Sequence, residues 1–200
     1  MAMMLVEETQ VPGAALPVAA LREHLRLGSG FAGADLQDGL LEGHLRAAMA
    51  AIEGRIGKAQ IARVFRLELE DWRGGEQPLP LAPVVSVVTV TLVDAAGGAV
   101  AVDPGRWRLV RDTHRPKLAG TGGVLPAVPV EGRVEVVFEA GFGANWAAVP
   151  ADLAQAVLLL AAEFYERRHE VGDAVAALPG TVQALIARWR TVRVLGGGAR

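Results

Sequence analysis

The sequence predicts an α+β protein: a bundle of N- and C-terminal helices carrying an inserted block of about five mainly antiparallel β-strands. Three observations predict it. Apolar residues recur at helical spacing over residues 17–57 and again over 150–195. Between them, residues 60–140 alternate apolar and polar or run rich in Val and Thr. No helical pattern separates those strand-like stretches, which argues against a doubly wound parallel sheet.

The elements follow in order. Residues 17–27 read as a short helix, with Val18, Leu21 and Leu25 on one side and Arg22, Glu23 and Arg26 between them. A longer helix runs from about Asp35 to Ile56, with Leu36, Leu40, Leu41, Leu45, Ala48, Met49, Ile52 and Ile56 as its apolar stripe. Asp35 can cap its start, Asp38 adds negative charge to its first turn, and Gly57 is a natural stop. "IARVFRLELEDW" then places Ile61, Arg63, Phe65, Leu67 and Leu69 on one face of a strand. "APVVSVVTVTLVD" reads as a mostly buried strand, and "DAAGG", residues 94–98, as a hairpin turn into "AVAVD". "RWRLVRD" and "GRVEVVFEAG" complete the block, with "GGEQPLPLAP" and "AGTGGVLPAVPVEG" as turns and loops.

Helix resumes after Pro150, expected at the first helical position, and is apolar on more than one face to residue 168. A last helix covers about 181–193, with Val182, Leu185, Ile186 and Trp189 together, and residues 196–200 are expected to fray. The reading is one domain of 200 residues.

Composition excludes much. There are no cysteines, so thiolate catalysis and Cys-ligated zinc are absent. His24, His44, His114 and His169 have no metal-ligand spacing. Net charge is −2, which gives no global pull toward nucleic acid or anionic lipid. No targeting peptide or membrane span is expected, and no cofactor. A content of 52% hydrophobic residues hints that other subunits cover part of the surface.

Four stretches invite a chemical reading. Gly28, Gly30 and Gly33 spell G-x-G-x-x-G, with Glu53 downstream. A dinucleotide site needs a strand before the first glycine and its acid at the tip of the next strand. Here a helix precedes the loop and Glu53 falls inside a helix, so the glycines read as a helix–helix connection. "FEAGFGANWAAVP" has Trp146 where a third glycine belongs and reads as a strand-to-helix turn. "ERRHE", residues 166–170, reads as a solvated helix end. Arg106 and Arg108, expected on one face of a strand near Arg111, Arg115 and Lys117, read as a polar sheet face rather than a phosphate patch.

The C-terminal stretch is different. Residues 181–200 hold Arg188, Arg190, Arg193 and Arg200 and no acid, with Trp189 and Val192 between and Val194 and Leu195 after. Arg and Trp dominate interface energetics, so this segment suits docking against another protein. An ordinary closing helix with a charged side is the alternative.

Several segments together resemble the head–tail connector proteins, also called head-completion or adaptor proteins, of long-tailed double-stranded DNA phages. They are "HLR" (His24, Leu25, Arg26), the strand led by Pro83 and closing at Asp94 and Gly97, and "AGFG" with Gly141 and Gly143. Pro150, the helix end with Tyr165 and Arg167, and "LPGTVQALIARWR" with Pro179 complete the set. Gly180 stands where an aromatic residue usually follows the proline, and Trp189 where a tyrosine is more usual. The Ala-, Gly- and Arg-rich style is most similar to the version in alphaproteobacterial gene transfer agents.

The resemblance implies a non-enzymatic part of a particle assembled in the bacterial cytoplasm. It implies a ring of about twelve copies under the portal, made by heterologous contacts. That ring extends the channel through which DNA slides unbound and meets a stopper or tail-terminator protein. Arg188, Trp189, Arg190, Arg193, Val194 and Leu195 are the candidate portal face. The long helix, about 22 residues and ~33 Å, is expected to build the ring wall. Two other classes stay open: a nucleotide-binding enzyme using the Gly28–Gly33 loop, and a small cytoplasmic protein-binding module.

Overall fold

The computed structural model describes residues 3–27, 34–168 and 178–190, without the side chains of 34–36. The fold is α+β. Strand β1 (Met3–Glu7) comes first, then helices α1 (Val18–His24) and α2 (Ala34–Ile56). Strands β2 (Arg63–Leu69), β3 (Glu76–Pro78), β4 (Val84–Val93), β5 (Ala99–Ala101), β6 (Trp107–Val110), β7 (Lys117–Gly120) and β8 (Arg133–Ala140) follow. Helices α3 (Ala151–Glu166) and α4 (Gly180–Ile186) close the described chain, α4 tightening into a 3₁₀ turn over Ala187–Trp189.

All five expected strands form, and three more join them. β1, β3 and β7 are too short, or too close to Pro and Gly, to show a period of two. The larger sheet has the order β1-β2-β8-β4-β5 and the smaller β3-β7-β6, with every strand pair antiparallel. β2 and β8 alternate strictly: Phe65, Leu67, Leu69, Val134, Val136, Phe138 and Ala140 point inward. β4 is less buried than its composition suggests. The register against β8 slips twice, at Val85 and Val88, and both bulged valines are turned out to solvent. The "DAAGG" turn is as expected: Asp94 Oδ1 accepts from the amides of Ala96 (2.9 Å) and Gly98 (2.8 Å), and Gly97 takes φ 87°.

The helical boundaries differ modestly. Pro150 sits just before α3 as its cap residue rather than inside it. The last helix is shorter than its sequence pattern: Arg190 is extended, and 191–193 lie outside the described residues, as do 194–200. Arg106 belongs to a 3₁₀ turn (Pro104–Arg106), so it does not share a strand face with Arg108.

Two apolar clusters form. One joins α1, α2, α3 and α4 around Leu21, Leu45, Ile52, Leu153, Leu160 and Val182. The other fills the β block around Phe65, Leu67, Val136, Phe138 and Leu118, where Phe65 and Phe138 stack 5.8 Å apart. α2 buries Leu41, Leu45, Ala48, Met49, Ile52 and Ile56. At 3.6 residues per turn, Gly39, Gly43, Ala47, Ala51 and Gly54 fall on the opposite face. All five are exposed, and nothing lies within 4 Å of where a Cβ would stand on any of the three glycines.

The seam between clusters is polar and tightly bonded. Arg63 of β2 reaches Glu53 of α2 through Nη2 (2.7 Å) and Nη1 (3.2 Å), and Glu7 of β1 through Nη2 (3.1 Å). Glu53 Oε1 also accepts the Gln60 amide at 2.7 Å. Both Glu53 and Arg63 are 9% exposed. Burial alone would disfavour the Arg63 charge, but hydrogen bonds and charge from Glu53, then Glu7, outweigh it and raise the guanidinium pKa above its ordinary value. Nearby, fully buried Lys58 donates to the Thr113 carbonyl (2.6 Å) and so ties the loop after β6 to the end of α2. Burial pushes the Lys58 pKa down, against a smaller upward pull from Asp112.

Glu53→Ala should therefore cost about 3–5 kcal/mol, because it strands a buried guanidinium. Urea unfolding of the variant measures the loss. Replacing Glu53 and Arg63 together by Met should cost less, since no charge is stranded, the remaining loss being the Gln60 amide left without its acceptor.

Candidate assembly surface and the C-terminal anchor

The candidate portal face divides in two. Arg188, Trp189 and Arg190 are described; Arg193, Val194 and Leu195 lie outside the described residues. Arg188 and Trp189 both turn toward Asp152, in the first turn of α3. Arg188 Nε and Trp189 Nε1 donate to the same Asp152 oxygen, Oδ2, at 2.6 and 2.7 Å. The other oxygen accepts the Leu153 amide at 3.0 Å. The Trp189 ring meets Phe142 edge-on, with centroids 5.3 Å apart, and the Arg188 guanidinium stacks on Trp189 at 4.8 Å. Burial pushes the Asp152 carboxyl up, but bonds from Arg188, Trp189 and Leu153 prevail and hold it below the usual range. Arg190 is exposed and extended.

Sequence reasoning missed Asp152 and Phe142. An acid in the first turn of a helix reads as a complement to the helix dipole. Its pairing with residues 36 and 37 positions later leaves no periodic signal.

The positions that carry the family resemblance do not converge on a pocket. Most punctuate the fold. Gly141 (φ 145°) donates to Pro83 O at 2.9 Å, and a Cβ there would come within 2.3 Å of the Ala62 nitrogen. Gly143 O accepts from that same amide at 2.8 Å. Pro83 opens β4 after a cis peptide, Asp94 and Gly97 make the hairpin, and Pro150 and Pro179 precede α3 and α4. His24 ends α1, Leu25 packs on the helical core, and Arg26 takes φ 54°. Tyr165 meets His44 at 6.0 Å between centroids, and Arg167 pairs with Glu163.

Gly28, Gly30 and Gly33 lie outside the described residues, but their flanks are helices α1 and α2. Glu53 is inside α2 and occupied by Arg63. The strand a dinucleotide loop requires is not there. Two of the basic side chains of the β block are engaged locally: Lys117 pairs with Glu76 (2.9 Å) and Arg111 donates to Val85 O (3.1 Å). Of "ERRHE", Arg168 lies over the Tyr165 ring, while His169 and Glu170 fall outside the described residues. A cleft of about 340 Å³ beside the Glu53–Arg63 seam is lined by Glu7, Arg46 and Met49 among others, and its charges are already paired. No group of metal-ligating side chains occurs among the described residues, and none of their helices is long and apolar enough to cross a membrane.

What these features define is a protein of surfaces: a paired Glu53–Arg63 seam inside, an uncharged outer helix face and a basic C-terminal end. The comparisons agree. Searches against described protein families and against curated proteins find no match. Solved structures do match. A chain in the neck of an empty gene transfer agent particle, computed with C6 symmetry, is 58% identical, with TM-score 0.87 over 97% of this chain and 98% of that one. A chain in the neck of the native particle, computed with C12 symmetry, is 55% identical with TM-score 0.82 over the same shares. A chain of the native virion is 58% identical with TM-score 0.84, again over 97% and 98%. The chain belongs to the family of gene transfer agent neck proteins, and its role is structural rather than enzymatic.

The Asp152 contacts carry a pH signature. A carboxyl held below its unfolded pKa contributes stability above that value, about 3.9, and loses it as pH falls through the folded pKa. The indole N–H resonance of Trp189 should hold steady from neutral pH to about 4 and move below it. In Asp152→Asn it should already be displaced at neutral pH.

Proposed function

We propose that the chain is the head–tail adaptor of a gene transfer agent or a closely similar phage-like particle. Copies form a ring under the portal, prolong the DNA channel and present a surface to the stopper or tail-terminator protein. The observation that carries this reading is the 58% identity, over nearly all of both chains, to a component of a gene transfer agent neck. The C12 symmetry of a native neck containing a similar chain supports a ring of twelve. Assembly takes place in the bacterial cytoplasm, before the particle is complete.

Each surface has a place in this arrangement. The basic end, Arg188, Trp189 and Arg190 with Arg193, Val194 and Leu195, faces the portal. α2, 23 residues and about 35 Å long, forms the wall between copies. Its outer glycines support that assignment. Each costs a helix roughly 0.5–1 kcal/mol relative to Ala, and close approach of a neighbour is one return for that cost. A net charge of −2 suits a channel that DNA must pass through without sticking.

Electron microscopy of the protein mixed with portal-bearing heads tests the reading. Rings seated on the portal are expected; a protein that stays dispersed and leaves heads unchanged would overturn it. The wall has its own test. Gly43→Ala should raise the unfolding free energy by up to about 1 kcal/mol. Gly43→Leu should leave the subunit folded by circular dichroism and abolish rings. Normal rings from the Leu variant would remove α2 from the interface.

A further inference from the structure

We propose that neighbouring copies in the ring join edge to edge, β1 of one copy adding as a parallel strand to β5 of the next, so that one sheet continues from subunit to subunit. The inference deepens the adaptor reading and rests on its ring of identical copies. α2 supplies the wall in that reading; the strand contact adds a second seam, held by backbone hydrogen bonds.

Among the described residues the larger sheet is open on both sides, with β1 at one edge and β5 at the other. β1 reads Met-Met-Leu-Val-Glu, and Met3, Met4 and Leu5 are 48, 51 and 38% exposed. β5 reads Ala-Val-Ala, exposed throughout, with Val100 at 67%. Neither strand carries a Pro, a Lys or a bulge, the devices that blunt the edge of a free-standing sheet. Other edges are blunted. β4 beyond β5 has its two bulges and an Arg111 side chain on the Val85 carbonyl, and β3 ends in Pro78.

The backbone ladders fix which groups are free. The Glu8 amide bonds Val64 O at 2.9 Å, so Val6 and Met4 also turn their backbone to β2, while Met3, Leu5 and Glu7 turn theirs outward. At the far edge the Val102 amide bonds Val90 O at 2.8 Å, so Val100 faces β4, while Ala99 and Ala101 face outward. Leu5 lies opposite Leu67, and Val100 opposite Leu92, which puts both side chains on the face that packs on the β core. In a parallel pair, a residue bonds the two neighbours of the residue beside it. With the middle of β1 beside the middle of β5, the Leu5 amide reaches Ala99 O, the Ala101 amide reaches Leu5 O, and Leu5 meets Val100 on the core face. Antiparallel pairing would use the same backbone groups but set the core face of one copy beside the outer face of the next. Strand direction gives the same answer independently. Five strands, each antiparallel to its neighbour, leave the two edges running the same way. Rotation about an axis along the strands keeps that direction, so it brings β5 and the next β1 together in parallel, a heterologous contact that repeats around a ring. A β1-on-β1 contact would be isologous and stop at two copies.

The chain has no cysteine, so introduced thiols report the contact cleanly. Leu5→Cys and Val100→Cys in one chain, assembled on portal-bearing heads and oxidised, should give a ladder of disulfide-linked species beyond the dimer on a denaturing gel. Each single variant should stay monomeric. Ala101→Pro removes an outward donor and leaves the bonds between β5 and β4 in place. Its thermal midpoint should stay within a few degrees of the parent, while ring formation needs a roughly tenfold higher protein concentration, the scale of one or two lost interstrand bonds. Should the double cysteine variant not assemble, Ala101→Pro decides alone. Rings that seat on the portal without a ladder, or an Ala101→Pro variant that assembles like the parent, refute the edge contact and leave the adaptor reading standing. Leu5→Cys alone crosslinking to itself, or to a different particle protein, gives the edge to another occupant and also refutes it. If the parent forms no ring on the portal, the adaptor reading fails, and the edge contact with it.

Discussion

The Arg63 guanidinium holds the two halves of this protein together. It sits on the first long strand of the β block, yet its partners are a helix of the bundle and the N-terminal strand. Without Glu53 the buried guanidinium would keep only Glu7, itself partly open to water, as a carboxylate partner, and the crossing of the seam would be strongly destabilised. Around it the backbone is equally constrained. Gln60 O accepts the Phe142 amide, Ala62 N donates to Gly143 O, and Gly57 O accepts the Ala82 amide. Entry to the block, the start of β4 and the block's exit all meet within one short stretch, 57–62. That explains why the exit must be glycine: a side chain at Gly141 would overlap the Ala62 backbone.

The outer face of the larger sheet carries a lattice of Glu8, Arg66, Glu68, Arg133 and Glu135, with Arg66 shared between Glu8 (2.6 Å) and Glu68 (2.5 Å). Exposed pairs of this kind add little stability. They do keep a broad sheet face free of apolar patches. Exposed apolar residues occur on the edge strands, at Met3, Met4, Leu5 and Val100, at the bulges, Val85 and Val88, on α2 at Leu40, and in the loop between β7 and β8 at Val124 and Val130. An unpaired apolar edge is a hazard for a free monomer and an asset for a subunit that ends in an assembly.

The sequence showed the large features because they repeat. The helical period over α2 and α3 and the alternation over β2 and β8 each span seven or more residues, enough for burial to impose a pattern. Short strands with three to five residues carry no such pattern, and β1, β3 and β7 escaped notice. β4 misled in the other direction. Its valines suggested two buried faces, but two bulges rotate Val85 and Val88 outward, and nothing in a run of Val and Thr marks where a register slips. The flanks of the glycine fingerprint are legible: helices α1 and α2 stand on either side of it, as their apolar spacing predicts. Arg63 was placed on the right face, but as one more inward residue; that Glu53, ten residues earlier, turns to meet it depends on the angle between α2 and β2.

The C-terminal segment shows why composition alone cannot divide a binding surface. Arg and Trp side by side are the residues expected at an interface, and also the residues best able to share one carboxylate. Sequence cannot tell an outward Trp189 from an inward one, since its helical position puts it at the border of the core. The structure resolves this through Asp152, which accepts the indole N–H of Trp189 and the Nε of Arg188, turning the tryptophan inward while most of the Arg188 side chain stays exposed. A component of a particle neck works through surfaces held in fixed relation to one another. A carboxylate at the start of α3, the helix that packs directly on α2, relates the closing turn of the described chain to the helical bundle.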